Sequence, residues 1–147
     1  MNEFESNLNE LLVKIFNFIS RYEEKSLKAI SKTPVTVTEA HILEIIACGG
    51  ATVSEIAAAL SVAVPTATVA VKKLENKCFV TKTASTLDAR RFIIELTPEG
   101  ARINRAHSLF HRKMIRYVSA GLSDSEKEAL ISAVKKLRDF FREKVEV

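Results

Sequence analysis

The stretch TVSEIAAALSVAVPTATVAVKKLENK, Thr52 to Lys77, decides how the rest of the chain is read. Thr52 and Glu55 have the spacing of a capping box, in which the hydroxyl accepts from the backbone near Glu55 and the carboxylate reaches back to the first amide. A short helix therefore starts here and runs to the polar break at Ser61. After the linking residues Ser61 to Val64 a second helix opens at Pro65, which has no amide hydrogen to lose and a preset φ suited to a first turn. Two short helices joined so closely have the proportions of a helix-turn-helix. In the second, Ala67, Ala70, Val71 and Leu74 share a face, leaving Thr66, Thr68, Val69, Lys72, Lys73 and Asn76 outside. The apolar side packs, and the other is free to read a partner.

Working outward, FVTKTA at 79–84 and RFIIELT at 91–97 have the composition of two strands around a turn at 85–90. The second strand alternates, with Phe92, Ile94 and Leu96 on one face and Arg91, Ile93 and Glu95 on the other. The hairpin forms a wing with Asp88, Arg90 and Arg91 at its tip. Upstream, residues 4–31 place Phe4, Leu8, Leu11, Leu12, Ile15, Phe16, Ile19 and Tyr22 at helical spacing, and Pro34 ends that helix. Thr38 is expected to cap the next helix, TEAHILEIIAC, with Ala40, Leu43, Ile46 and Ala47 inward and Gly49-Gly50 as its stop.

Downstream, Thr97-Pro98 should open a fifth helix that runs to about Ser119, with Ile103, Ala106, Phe110, Met114 and Tyr117 inward and Gly121 closing it. Ser123 and Glu126 form a second capping box, for a last helix striped with Leu130, Val134, Leu137, Phe140 and Phe141. The first, fifth and sixth helices offer more apolar surface than a small helix-turn-helix can cover. Two copies packing these helices together is the simplest solution. The fold class expected is mainly α with a small β-hairpin wing: a winged helix-turn-helix with long N- and C-terminal dimerisation helices.

At 147 residues the chain suits a single domain. The net charge of +4 is concentrated: between residues 63 and 91, Lys72, Lys73, Lys77, Lys82, Arg90 and Arg91 face only Glu75 and Asp88. Such a patch suits phosphates, although a solvated basic face would look the same. No G-x-S-x-G, P-loop or nucleotide fingerprint occurs, and four glycines leave little to build one, so an enzyme is not expected. No apolar run approaches the roughly 20 residues of a membrane span. The amino terminus, MNEFESNLNE, is acidic where a signal peptide would be basic, which predicts a cytoplasmic protein. Cys48 and Cys78 lie far apart without CxxC spacing and are expected to be buried structural thiols.

The order of elements, together with TVSEIAAAL at 52–60, PTATVAVKKLENK at 65–77 and the wing SxxDARRxxIxLTPEG from Ser85 to Gly100, resembles the MarR family of bacterial and archaeal transcription regulators. The similarity spans nearly the whole chain. It implies a homodimer on double-stranded DNA carrying a pseudo-palindromic operator, acting as an effector-responsive repressor. Residues 36–97 would form the DNA-binding lobe, and 1–33 with 98–147 the dimerisation lobe. The resemblance assigns DNA contacts to Thr38 and Ser54 at helix starts, and to Pro65, Thr66, Thr68, Val69, Lys72 and Lys73 on the recognition helix. On the wing it assigns them to Lys82, Ser85, Asp88, Arg90 and Arg91. By the family pattern Arg90 is the minor-groove or wing-anchoring residue and Arg91 a phosphate contact, with Asp88 able to hold the arginine fork by a charged hydrogen bond.

Two positions depart from the family. Cys78 stands where glycine is usual, so it must adopt a left-handed conformation or close the helix differently, and Ala63 stands where a serine cap is common. A winged-helix module used only for protein contact is the alternative reading, favoured by the lack of long polar side chains at the start of the recognition helix.

The chain's three histidines bear on the effector. His107 and His111 are four apart on one helix, the spacing with which a helix supplies two imidazoles to a metal. Their order with Glu23 and His41 resembles the metal ligands of the family's zinc-responsive branch. The runs LLVKIFNFI, VTEAHILEII and AHSLFHRKM are equally similar to the fatty-acid-biosynthesis repressors of the family, whose co-repressor is an acylated carrier protein. Three readings follow: a hydrogen-bonded polar cluster with no metal, a zinc site in a protein that otherwise needs no cofactor, or direct contact with an acylated carrier protein or small-molecule effector.

Overall fold

The computed structural model describes residues 1–145, in the order α1 (Glu3–Ile30), α2 (Val37–Ile46), α3 (Val53–Leu60), α4 (Val64–Asn76), β1 (Val80–Ala84), β2 (Phe92–Leu96), α5 (Pro98–Ala120) and α6 (Asp124–Val145). Capping residues set the starts. Asn2 with Glu5, Thr36 with Glu39, and Thr52 with Glu55 each form reciprocal capping boxes, and the Thr97 hydroxyl accepts the Gly100 amide. Thr36, rather than Thr38, thus begins the second helix; Thr38 is inside it, and the Thr-x-x-Glu pattern from Thr36 was the signal. Ser123 and Glu126 exchange the expected backbone bonds at the head of α6.

Between α3 and α4 the chain turns through 111°. Ser61 makes this possible by entering the left-handed region at φ 54°. Val64 is the first residue of α4 and Pro65 the second; the N-cap, Ala63, makes no side-chain bond. At the far end Cys78 takes up the left-handed conformation, with φ 61°, and its carbonyl accepts the Thr97 hydroxyl at 2.7 Å.

The wing is a two-stranded antiparallel sheet with Val80 opposite Leu96 and Ala84 opposite Phe92. Its root is extended by Ala51, which exchanges both backbone hydrogen bonds with Ile94. Ile94, Phe79 and Val80 join Ile42, Leu43, Ile46, Ile56, Val71, Leu74 and Ile103 in one core beneath the helix-turn-helix. Gly100 lets α5 approach: a Cβ there would lie 2.1 Å from the Phe79 carbonyl oxygen. Arg102 donates to the last carbonyl of α1, Ile30, and to both carboxylate oxygens of Glu99.

Only Glu23 and Leu27 of α1 are buried, and none of α6 is. Phe4, Phe16, Phe18 and Tyr22 of α1, and Phe140 and Phe141 of α6, stand exposed. Tyr117, expected inward, is 86 % exposed, and Ala47 is exposed as well. The apolar stripes of α1, α5 and α6 thus exceed what the chain covers by itself. No single helix among the described residues is long and apolar enough to cross a membrane. Both cysteines are exposed, against expectation: Cys48 lies where the chain leaves the core toward Gly49-Gly50, and the left-handed turn at Cys78 carries its side chain outward.

Candidate functional site

Two surfaces carry chemistry. The first is the outer face of α4 with the wing. Ala67, Val71 and Leu74 are buried, which leaves Pro65, Thr66, Thr68, Val69, Lys72 and Lys73 exposed on the opposite side. The Thr68 hydroxyl donates to the Val64 carbonyl at 3.0 Å, so its methyl is the group most available to a partner. Thr38 and Lys73 line a shallow groove between the start of α2 and α4, together with Thr36, Thr66 and Val69. Across the molecule, Ser54 at the head of α3 shares a cleft with Lys82, Arg90 and Arg91 of the wing. The lysine ammonium sits 4.5 Å from the centre of the Phe92 ring, a cation–π contact that steadies it.

At the wing tip Asp88 is used differently than expected. Its Oδ1 accepts the backbone amide of Arg90 at 2.9 Å and its carbonyl accepts that of Arg91 at 3.0 Å. Aspartate at the start of a turn satisfies the amide two residues on, and this local bond outcompetes the grip on the arginine side chain. Ser85 works similarly: its hydroxyl accepts the Leu87 amide.

Sequence reasoning missed the fastening beneath this face. Lys77, counted above as part of the basic patch, donates its Nζ to both oxygens of Glu39 at 2.8 Å and to the Pro34 carbonyl at 2.8 Å. Glu39 is buried and also accepts the Thr36 amide. The C-terminus of the reading helix is thereby fixed to the N-terminus of α2. Separated by most of the helix-turn-helix, the two residues leave no local pattern by which to pair them.

The second surface is a cluster where α1, α2 and α5 meet. Glu23 of α1 is 4 % exposed, and its Oε1 lies 3.1 Å from His107 Nε2, 3.0 Å from His111 Nε2 and 3.6 Å from His41 Nε2. The Nε2 atoms of His107 and His111 are 3.2 Å apart. One ligand atom from each of the four residues lies within 4.8 Å of all the others. A tetrahedral zinc with bonds near 2.05 Å separates its ligand atoms by about 3.3 Å, which is the scale of these spacings. Burial pushes the pKa of His107 below its ordinary value and the positive neighbours His111 and His41 add to this, while the hydrogen bond to Glu23 opposes it. His107 is therefore held neutral, the form in which imidazole is a ligand.

A recognition helix, a basic hairpin bonded at its root to the strand residue Ala51, and long helices with open apolar faces define a winged helix-turn-helix regulator. The MarR family profile matches residues 35–92, and the chain belongs to that family. The transcriptional regulator ZitR of Lactococcus lactis subsp. cremoris is 26 % identical over 141 residues, covering 93 % of this chain and 97 % of that protein. Streptococcus pneumoniae FabT, solved in complex with DNA, superimposes with a TM-score of 0.85 at 27 % identity, covering 95 % of this chain and 98 % of FabT. The adhesin competence repressor AdcR of Streptococcus pyogenes does so at 0.67 and 26 % identity, covering 99 % and 100 %.

Proposed function

We propose that the chain is a homodimeric repressor that binds a pseudo-palindromic operator in double-stranded DNA and whose DNA affinity is set by zinc at Glu23, His41, His107 and His111. The observation that carries the DNA reading is the exposed outer face of α4 flanked by the Lys82, Arg90 and Arg91 cleft, in a fold shared with FabT bound to DNA. Residues 36–97 serve as the reading lobe. Residues 1–33 and 98–147 serve as the dimerisation lobe, where the exposed stripes of α1, α5 and α6 meet their copies. The two reading helices then enter successive major grooves about 34 Å apart. A folded monomer at micromolar concentration in sedimentation would overturn this.

Readout on α4 is unusually apolar. Pro65, Thr66, Thr68 and Val69 offer methyl groups and no bidentate fork, so thymine methyls are their partners. Val69→Ala should relax sequence preference. Lys72→Ala should weaken all sequences alike and lower the slope of log affinity against log salt by about one. Equal losses from both changes on every sequence would refute the assignment.

The metal reading rests on the near-tetrahedral spacing of four ligand atoms drawn from three helices. When bound, zinc supplies a cross-link among α1, α2 and α5, and so fixes α2 under the reading helix. Ligating imidazoles must be neutral, so binding should fade as pH falls below about 6.5, with His107 the last of free and buried forms to be lost because burial keeps it neutral. Operator gel shifts with zinc and with a chelator, on the parent and on His107→Ala, test the reading. A metal response in the parent that vanishes in the variant is expected. Indifference to metal in both would retire zinc and favour an acylated carrier protein or a small apolar effector, for which the cleft of Tyr22, Ile30, Phe110, Lys113 and Met114 is the apolar site.

A further inference from the structure

Among the described residues, two buried side-chain polar atoms lack a hydrogen-bond partner: Asn104 Oδ1 and His107 Nδ1. They belong to residues three apart on α5, which on a helix are neighbours with Cβ atoms about 5–6 Å apart. Two orphaned atoms so close together call for a common cause. The other ring nitrogen of His107 provides it. Nε2 lies 3.1 Å from Glu23 Oε1, and an ionised carboxylate only accepts, so in the metal-free protein the imidazole hydrogen sits on Nε2. Nδ1 is then a bare lone pair. Asn104 Oδ1 is an acceptor too, and two acceptors cannot bond to each other.

We propose that Asn104 is the positioning residue for His107 as a metal ligand: it accepts a hydrogen bond from Nδ1–H once a zinc ion occupies the Nε2 lone pair. The inference rests on the zinc reading above and deepens it. The exchange balances: Nε2 releases its proton to solvent, Nδ1 takes one from solvent, and the ring stays neutral throughout. In the metal-free state both buried acceptors are unsatisfied, which costs free energy; in the bound state one hydrogen bond satisfies both. Binding is therefore favoured by relief of a defect in the free protein as well as by the bond to the ion. A ligating histidine whose second nitrogen donates to a carbonyl or carboxylate is the usual arrangement, and removing such a partner typically lowers metal affinity by about 10- to 100-fold. Asn104 makes no contact with the ion in this scheme.

The experiment uses the full chain with ¹⁵N-labelled histidine, zinc as the probe, and competition against a chromophoric chelator. In the parent, long-range ¹H–¹⁵N spectra should show the His107 hydrogen on Nε2 without metal and on Nδ1 with it. Asn104→Ala should bind zinc about 10- to 100-fold more weakly. The stability of its metal-free form should be unchanged or raised, because the variant removes an unsatisfied acceptor. Asn104→Asp, which restores a strong acceptor, should recover the affinity. Zinc affinity in Asn104→Ala equal to that of the parent would overturn the proposal. So would a metal-free Asn104→Ala that is destabilised in step with its loss of affinity, since that pattern marks a purely structural residue. Failure of the zinc reading itself shows separately, as a parent protein that does not compete with the chelator at all.

Discussion

Lys77→Met should lower the free energy of unfolding by about 3 kcal/mol, measured by urea denaturation at fixed protein concentration. Removing the ammonium leaves the Glu39 carboxylate buried with a single remaining partner, the Thr36 amide. A lone buried charge costs far more than a surface ion pair contributes, which is why the loss exceeds the fraction of a kcal/mol expected for an exposed pair such as Lys72–Glu75. Glu39→Gln in the same background should recover part of the loss, because a neutral amide tolerates the site. The pair also fixes the end of α4 to α2 and the Pro34 carbonyl, so operator binding should fall further than the loss of folded protein explains. A loss below 1 kcal/mol would show that Glu39 finds water.

Arg90→Ala should weaken operator binding by about 10- to 100-fold while the dimer stays intact. Because Asp88 is occupied with the backbone, the turn keeps its shape when the Arg90 side chain is removed, and the effect reports the guanidinium alone. Arg91→Ala, as a phosphate contact, should give a smaller and sequence-independent loss. Dissociation of the dimer in Arg90→Ala, seen by sedimentation, would make the residue structural instead.

The features legible in the sequence are those encoded over three or four residues. Thr52 with Glu55, Ser123 with Glu126, Thr97 before Pro98 and the alternation through Ile94 all specify local backbone geometry, and each occurs as read. The misplaced cap at the head of α2 was also local: Thr36-x-x-Glu39 was present, two residues before Thr38. The four ligand-type residues were readable because two lie on adjacent turns of one helix, and the structure brings Glu23 and His41 to them. What could not be read was pairing over long separations. Glu39 with Lys77 depends on how α2 crosses the end of α4, and the exposure of Cys48 and Cys78 depends on which way a turn leaves the core. The importance of Asn104 needs a further fact, the position of one hydrogen on an imidazole.

The long, unburied reach of α1 has a consequence for how much of this protein a cell can keep. Helix α1 exposes Phe4, Leu11, Phe16 and Phe18 while burying only Glu23 and Leu27, so its order depends on a second subunit. Stability is then a function of concentration by mass action, and the melting temperature should climb as the protein is made more concentrated. Subunits too dilute to find one another would present a frayed apolar helix to proteases. Abundance would thus have a floor, below which the regulator is cleared faster than it assembles.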